Sequence, residues 1–270
     1  MASGILISLG ILMLVAAGIT PSLSTGSLSQ GERVAVATTT ILWDVARNVA
    51  GGLWRVEHIV EPGIDPHTFE PTPQDMVKAA NAKLIFYNGF TVDQWVTRFI
   101  IASSKAKVVR VTEGLEGLVL KVPDGPYAGR EDPHMWMNPR IVIRYTERVR
   151  DAFIQNDSTN ANEYRKNASA YISQLEALDA WIKHEVSKLD RTRRLLFTQE
   201  NAFQYFAGAY DFGIVGYFYS IVTEVEPSVF DVVKAIEKVR KSGLCVFFIE
   251  TTLSPKMMEM FARKVSGRVA

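Results

Sequence analysis

The segment RVAVATTTILWDVARNVAGGLWRVEHIV, residues 33–60, decides the fold, because two strand-like runs enclose one helix-like run. Val34–Thr38 and Val56–Val60 are rich in β-branched residues, as strands are. Between them, Leu42–Ala50 has the apolar spacing of an amphipathic helix. A strand, a helix and a second strand in this order are typical of a parallel sheet covered by helices.

The same alternation continues toward the middle of the chain. Leu84–Tyr87 and Val108–Val111 are the next strand-like runs, and helical patterns occupy Pro73–Ala82 and Val92–Ser103. After a predicted helix from about Pro139 to Gln155, apolar residues recur every three or four positions as far as Leu189, with no Pro or Gly. The alternation then restarts. Strands are predicted at Leu195–Thr198, Ile214–Tyr217 and Cys245–Ile249, and helices at Ala202–Tyr210, Ser228–Lys241 and Pro255–Val265.

We therefore predict an α/β protein with two lobes, each with a parallel sheet flanked by helices, joined by a long rigid helix. The predicted boundaries are residues 32–156 for the N-terminal lobe, 157–190 for the linking helix and 191–270 for the C-terminal lobe. Since Val269 and Ala270 resemble the first step of a further strand, we expect the second lobe to be incomplete, or truncated.

Composition excludes several classes of protein. The chain has 30 Lys and Arg against 29 Asp and Glu, so its net charge of +1 creates no strong field toward nucleic acid. The single cysteine, Cys245, forms no internal disulfide and excludes a multi-cysteine zinc or iron–sulfur site. The phosphate-binding patterns GxxxxGK[ST] and GxGxxG and the nucleophile pattern GxSxG are absent from the sequence.

The N-terminal segment predicts export. Residues 1–31 contain no charged side chain, and Ile5–Ala17 is an apolar run interrupted only by Ser8 and Gly10. This run is shorter than the roughly 20 residues of a membrane span and is typical of a signal peptide. We predict that residues 1–31 are a signal peptide, or else an N-terminal anchor with a tether.

Three candidate metal ligands follow predicted strands. His67 and His134 each stand in an Asp-Pro-His tripeptide, in which the proline stiffens the backbone, and Glu200 follows the Leu195–Thr198 strand. Ligands of open parallel sheets bind beyond the carboxyl ends of the strands. Two imidazoles and a carboxylate from the two lobes could therefore meet around a metal ion.

Each candidate also has a structural interpretation. A loop histidine such as His67 or His134 is often a surface or capping residue, and Glu200 suits the first turn of a helix, where the dipole favours an anion. His58 and His184 are expected to be solvated or structural. Glu224 and Glu226 are either a second metal pair or charges that precede the Ser228–Lys241 helix.

Five segments stand out together, in this order: DPHTFEPTP at 65–73, LIFYNG at 84–89, DPHMWMNP at 132–139, TQENAFQYF at 198–206 and TEVEPS at 223–228. In these segments the sequence resembles a known family, the solute-binding receptors of zinc/manganese-type ABC importers. The resemblance implies two α/β lobes joined by a long helix, with one metal ion in the cleft and His67, His134 and Glu200 as ligands.

The family generally adds a fourth ligand, an Asp or similar residue in a C-terminal loop, which we expect beyond Ala270. Glu250, at the end of the Cys245–Ile249 strand, is a candidate substitute. Glutamate as the third ligand resembles the manganese-linked subgroup. The Pro123–Pro133 loop has no histidine, unlike the His-rich loop of many zinc receptors. These features favour manganese over zinc or iron.

The resemblance predicts an extracytoplasmic receptor, periplasmic or on the cell surface. It would bind one divalent transition metal ion (Mn²⁺ or Zn²⁺, or else Fe²⁺) and deliver it to the membrane permease of a metal ABC importer. We expect a monomer with no catalytic activity and no nucleic-acid partner. Two alternatives stay open. One is an exported metal-dependent hydrolase with Glu131 or Asp132 as general base, and the other is an adhesion module with a structural metal.

Overall fold

A computed structural model describes residues 33–101, 104–123, 127–221 and 227–269. The predicted signal peptide or anchor at 1–31 and the glutamates at 224 and 226 lie outside these ranges. In the part of the chain that the model describes, no helix combines the length and the apolar character that a membrane span requires.

The N-terminal half is built on a parallel sheet. β1 (Val34–Ala37), β2 (Arg55–His58), β3 (Leu84–Tyr87) and β4 (Lys107–Arg110) lie in the order β2-β1-β3-β4, and every neighbouring pair is parallel. All four residues of β1 are buried, which explains its uninterrupted apolar sequence. The predicted parallel sheet flanked by helices is confirmed.

The first helices begin at residues whose side chains cap them. α1 (Thr40–Ala50) begins after Thr39, whose hydroxyl accepts a hydrogen bond from the Leu42 N–H. α2 (Pro73–Asn81) has a capping box, in which Thr72 and Asp75 each accept from the other's backbone N–H. α3 (Pro139–Asn156) has proline in its first turn.

One predicted helix is different in the structure. In place of the helix predicted at Val92–Ser103, the structure has a π-helical turn at Val96–Ile100, and residues 102 and 103 lie outside the described ranges. Thr91, Val92, Val96 and Thr97 are β-branched, which lowers helix propensity.

The long helix α4 (Ala161–Ser187) packs against α1 and α3. It has 27 residues, and is therefore about 40 Å long. Its first turns are anchored by Tyr164, whose hydroxyl accepts from the Trp54 indole at 2.8 Å and donates to Asp157 at 2.5 Å. Near its other end, Asp179 accepts from the Tyr210 hydroxyl and from Lys183.

The C-terminal half contains two parallel strand pairs within the described ranges. β5 (Leu195–Glu200) pairs with β6 (Gly213–Tyr219), and β7 (Val246–Phe247) pairs with β8 (Arg268–Val269). The accompanying helices are α5 (Gln204–Tyr210), α6 (Val229–Ser242) and α7 (Lys256–Lys264).

Aromatic rings fill the core of this half. Phe197 stacks on Phe261 with ring centroids 4.7 Å apart, and Phe218 and Phe247 pack edge-on against the same pair. The described residues all belong to one compact unit. The division into lobes at 32–156 and 191–270, with residues 157–190 as the linking helix, therefore stays a prediction.

Candidate metal centre

His67 is held by a short turn after β2. The Asp65 carboxylate accepts a hydrogen bond from the backbone N–H of His67 at 2.9 Å and so closes a tight turn. Pro66, between the two residues, restricts the backbone of this turn. The Trp95 indole donates a hydrogen bond to the Pro66 carbonyl at 3.2 Å, which holds the turn against the segment that carries Trp95. The His67 side chain is only 2% exposed, so the turn directs the imidazole into the protein.

His134 is oriented by the first residue of its own tripeptide. The Asp132 carboxylate accepts the His134 N–H at 3.0 Å and lies 2.7 Å from His134 Nδ1. Asp132 is fully buried. A carboxylate at Nδ1 places the ring proton on that nitrogen and leaves the Nε2 lone pair available as a ligand. The Trp136 ring packs edge-on against the imidazole, with centroids 5.2 Å apart.

A third set of contacts fixes the loop that carries His134. The Asn88 amide donates to the Pro133 carbonyl at 3.3 Å, and its oxygen accepts from the Tyr145 hydroxyl at 3.0 Å. Asp93 in turn accepts the N–H groups of Asn88 and Gly89, both at 2.7 Å. Burial raises the pKa of Asp93 to about 6, although these donors oppose the rise.

Glu200 is the last residue of β5. It does not lie in the first turn of α5, which begins only at Gln204. Its backbone N–H donates to Glu250 Oε1 at 2.8 Å. The Gln199 side chain links the same two segments, because its oxygen accepts the Glu250 N–H and its amide donates to the Ser254 carbonyl.

The three predicted ligands converge. His134 Nε2 lies 3.1 Å from Glu200 Oε1, His67 Nε2 lies 3.4 Å from the same oxygen, and the two Nε2 atoms are 3.2 Å apart. Glu200 Oε1 is buried and makes no hydrogen bond of acceptable geometry with the described residues. Among those residues, this is the one group of His, Cys, Asp and Glu ligand atoms close enough to hold a metal ion.

The spacing suits a transition metal ion. Atoms bound about 2.1 Å from one ion lie about 3.0 Å apart in octahedral and about 3.4 Å apart in tetrahedral geometry. The three observed separations of 3.1, 3.2 and 3.4 Å fall within this range. The donor set, two imidazole nitrogens and a carboxylate oxygen, is one that such ions accept.

The ionisable groups at the site shift one another's pKa. Burial lowers the pKa of His67, which favours the neutral ring, although the Glu200 carboxylate opposes the shift. Burial would also lower the pKa of His134, but the Glu200 and Asp132 carboxylates raise it to about 10. Burial would raise the pKa of Glu200, but the His134 and His67 rings lower it. Without a metal ion, the proton on His134 offsets only part of the negative charge of Glu200 and Asp132, and a bound cation would replace that proton.

The other histidines and Glu250 do not join the cluster. His58 lies on β2 with its ring edge-on to Trp43, and His184 lies in the last turn of α4. Glu250 directs Oε1 at the backbone of Glu200. Burial raises the pKa of Glu250 to about 7, an effect that the Glu200 carboxylate reinforces and the Glu200 N–H opposes.

Sequence reasoning missed the residues that hold the ligands in place. Asn88, which contacts Pro133, and Gln204 and Tyr205, which contact Asp132, all stand in the segments that carry the family resemblance, but sequence reasoning assigned none of them a role of its own. The sequence offered one weak signal for these residues, namely polar side chains within otherwise apolar segments. Buried polar groups need hydrogen-bond partners, so such residues are candidates for holding a site in place.

Comparison with known proteins gives matches over nearly the whole described chain. The family described as zinc-uptake complex component A, periplasmic, matches residues 35–270. The iron-binding protein YfeA of Yersinia pestis is 35% identical over 86% of this chain and 74% of its own length. The manganese-binding lipoprotein MntA of Halalkalibacterium halodurans is 32% identical over 92% of this chain and 81% of its own length.

A solved structure shows the same fold. The periplasmic zinc-binding protein TroA from Treponema pallidum superposes with a TM-score of 0.80 and 27% sequence identity. The match covers 87% of this chain and 84% of TroA. The names of these three similar proteins mention iron, manganese and zinc, so similarity alone does not select one metal.

Proposed function

The chain belongs to the family of zinc-uptake complex component A, and from this premise we propose that it is the metal receptor of an ABC importer. The receptor binds one divalent transition metal ion with His67, His134 and Glu200. It delivers the ion, as cargo, to the permease in the membrane. Relatives are named as substrate-binding lipoproteins of metal ABC transporters, which supports a role in binding and not in catalysis.

The observation that carries this proposal is the convergence of three buried ligand atoms. His67, His134 and Glu200 come from three separate segments, yet their ligand atoms all lie within 4.8 Å of one another. Glu200 Oε1 is buried beside the two imidazole Nε2 atoms, so its negative charge needs either a proton on His134 or a bound cation. A metal ion at this point would supply the compensation.

The Glu200 carboxylate is the donor that favours manganese as the cargo. Imidazole suits zinc and iron, whereas a carboxylate adds a hard oxygen that suits manganese. Zinc nevertheless binds more tightly than manganese at most sites of this kind, because affinity follows the Irving–Williams order. Selection therefore depends on which metal is available and on ligand geometry, and not on affinity alone.

The proposal places the protein outside the cytoplasm, in the periplasm or on the cell surface. Solved relatives are named periplasmic and curated relatives are named lipoproteins, which supports this location. The partner is the permease of the importer. We expect the receptor to act as a monomer that captures the ion in the extracytoplasmic space and releases it when docked.

A competition titration of metal-stripped protein tests the proposal. Manganese and zinc are each added against a chromophoric chelator, with the wild-type chain and with the His134→Ala variant. We expect one ion per wild-type chain and loss of tight binding in the variant. Equal binding by the two chains would show that His67, His134 and Glu200 are not the site. Metal-dependent turnover of model esters or peptides would favour the hydrolase alternative.

A further inference from the structure

The Asp132 carboxylate is shared between His134 and a residue of the C-terminal half. One oxygen accepts the His134 backbone N–H and lies 2.7 Å from His134 Nδ1. The other oxygen accepts from Gln204 Nε2 at 2.7 Å. Asp132 is 0% exposed, so water does not compete for either oxygen. The position of this carboxylate therefore depends on Gln204 as well as on its own loop.

The next residue of α5 holds the backbone of the same aspartate. The Tyr205 hydroxyl donates to the Asp132 carbonyl at 2.8 Å and accepts the Leu120 N–H at 2.9 Å. Tyr205 is 4% exposed. Two successive residues of one helix thus hold Asp132 at both its side chain and its main chain.

The same helix is joined to Glu200 by a short, buried connection. Three residues separate Glu200 from Gln204, and the first of them, Asn201, donates its backbone N–H to the Tyr219 carbonyl at 2.9 Å. Asn201 and Ala202 are 1% and 3% exposed. A segment bonded and buried in this way has little freedom, so the position of Glu200 and the position of α5 are coupled.

From these contacts we infer that Gln204 is a positioning residue for metal binding. By holding Asp132, it orients the His134 ring and sets the separation of His134 Nε2 from Glu200 Oε1 before a metal ion arrives. Gln204 does not touch the ion itself. The inference rests on the proposed function and adds to it a residue that acts through Asp132.

The chemistry of the side chain suits this role. An amide donates a hydrogen bond but carries no charge, so the full negative charge of Asp132 stays available to the His134 imidazole. A lysine or arginine in its place would compete with His134 for that charge. Loss of a group that hydrogen-bonds directly to a metal ligand, as Asp132 does to His134, commonly changes metal affinity by about 10- to 100-fold. Gln204 acts through that group, so we expect an effect at the lower end of this range.

The test replaces Gln204 with methionine, which has a similar length and no donor. The matched control is Gln174→Met, at an exposed position of α4. Wild type, both variants and His134→Ala are titrated with Mn²⁺ in the full chain. The absorption spectrum of each chain saturated with Co²⁺ then reports the geometry around the ion. The thermal midpoint of each metal-free chain reports stability.

We expect Gln204→Met to raise the Mn²⁺ dissociation constant about tenfold and to shift the Co²⁺ bands, with Gln174→Met like wild type. If wild type binds tightly and His134→Ala does not, but Gln204→Met matches wild type in affinity and spectrum, the positioning role is wrong while the proposed function stands. Absence of binding by wild type would overturn both. If Gln204→Met does not fold, Gln204→Asn, which keeps the amide but is one methylene too short, should show the same spectral shift.

Discussion

His134 Nε2 lies 3.1 Å from Glu200 Oε1, although the two residues belong to opposite halves of the chain. Both side chains are nearly buried, at 2% and 8% exposure. A buried carboxylate and a buried imidazole at this distance are stable when the imidazole is protonated, so that the two form an ion pair, or when both bind a cation. The contact therefore links the two halves at the point where the ion would bind.

Removal of either imidazole should abolish tight metal binding. Loss of a group that hydrogen-bonds to a metal ligand can weaken metal binding by roughly 100-fold. His67→Ala and His134→Ala each remove a ligand itself, so we expect them to weaken Mn²⁺ and Zn²⁺ binding by more than this. Competition titration against a chelator measures the effect. His58→Ala and His184→Ala are the matched controls, since neither ring belongs to the cluster. Equal affinities in all four variants would contradict the assignment of the site.

Glu250 should support Glu200 without binding the ion. Its Oε1 accepts the Glu200 N–H at 2.8 Å, and a glutamine at this position keeps an oxygen that can accept the same bond. We expect Glu250→Gln to bind Mn²⁺ within about tenfold of wild type, whereas Glu250→Ala leaves a buried N–H unpaired and costs about 1–3 kcal/mol of stability. Titration and chemical denaturation measure the two effects. A loss in Glu250→Gln as large as in His134→Ala would show that Glu250 is a ligand.

Metal binding should stabilise the fold. The three ligand atoms come together only in the folded chain, so an ion binds the native state and not the unfolded one. At a free concentration 1,000 times its dissociation constant, the ion should add about 4 kcal/mol to the free energy of unfolding. For a chain of this size, that is a rise in Tm on the order of 10 °C.

Calorimetry with Mn²⁺ and then with a chelator measures this change in Tm. His134→Ala is the control and should show no rise. A wild-type midpoint that is the same with and without metal would mean that the ion does not bridge these segments.

Asp93 should make part of the stability depend on pH. Its pKa rises from 3.8 in the unfolded chain to about 6 in the folded chain, so folding favours the protonated carboxyl. Stability from this group is fully present below the unfolded pKa and is lost as the pH rises through about 6. Between pH 7 and pH 5, wild type should therefore gain about 1 kcal/mol from Asp93.

The comparison that isolates this group is wild type against Asp93→Asn, by denaturant unfolding of metal-free protein at both pH values. The asparagine amide keeps one acceptor oxygen where the carboxylate has two, so the variant loses one of the bonds donated by the Asn88 and Gly89 N–H groups and should be less stable at each pH. The difference between the two proteins should be larger at pH 5. A difference that shrinks toward pH 5 would contradict the raised pKa.

Much of the fold was readable from local pattern. The strands at Leu84–Tyr87 and Val34–Ala37 and the helix starts at Pro73 and Pro139 follow from residue types that act within a few positions. The helix predicted at Val92–Ser103 is shortened to a π-helical turn at Val96–Ile100, because apolar spacing alone does not distinguish an α-helix from a π-helical turn next to β-branched residues.

Periodicity and the repeated Asp-Pro-His turn are local properties, so they were enough to predict the order of strands and helices and to name His67, His134 and Glu200 as candidate ligands. That these three residues meet, and that Gln204 holds Asp132 from the other half of the chain, is a property of the folded chain alone. A separation of about 3 Å between ligand atoms depends on how distant segments pack, and packing is not encoded in any single stretch of residues.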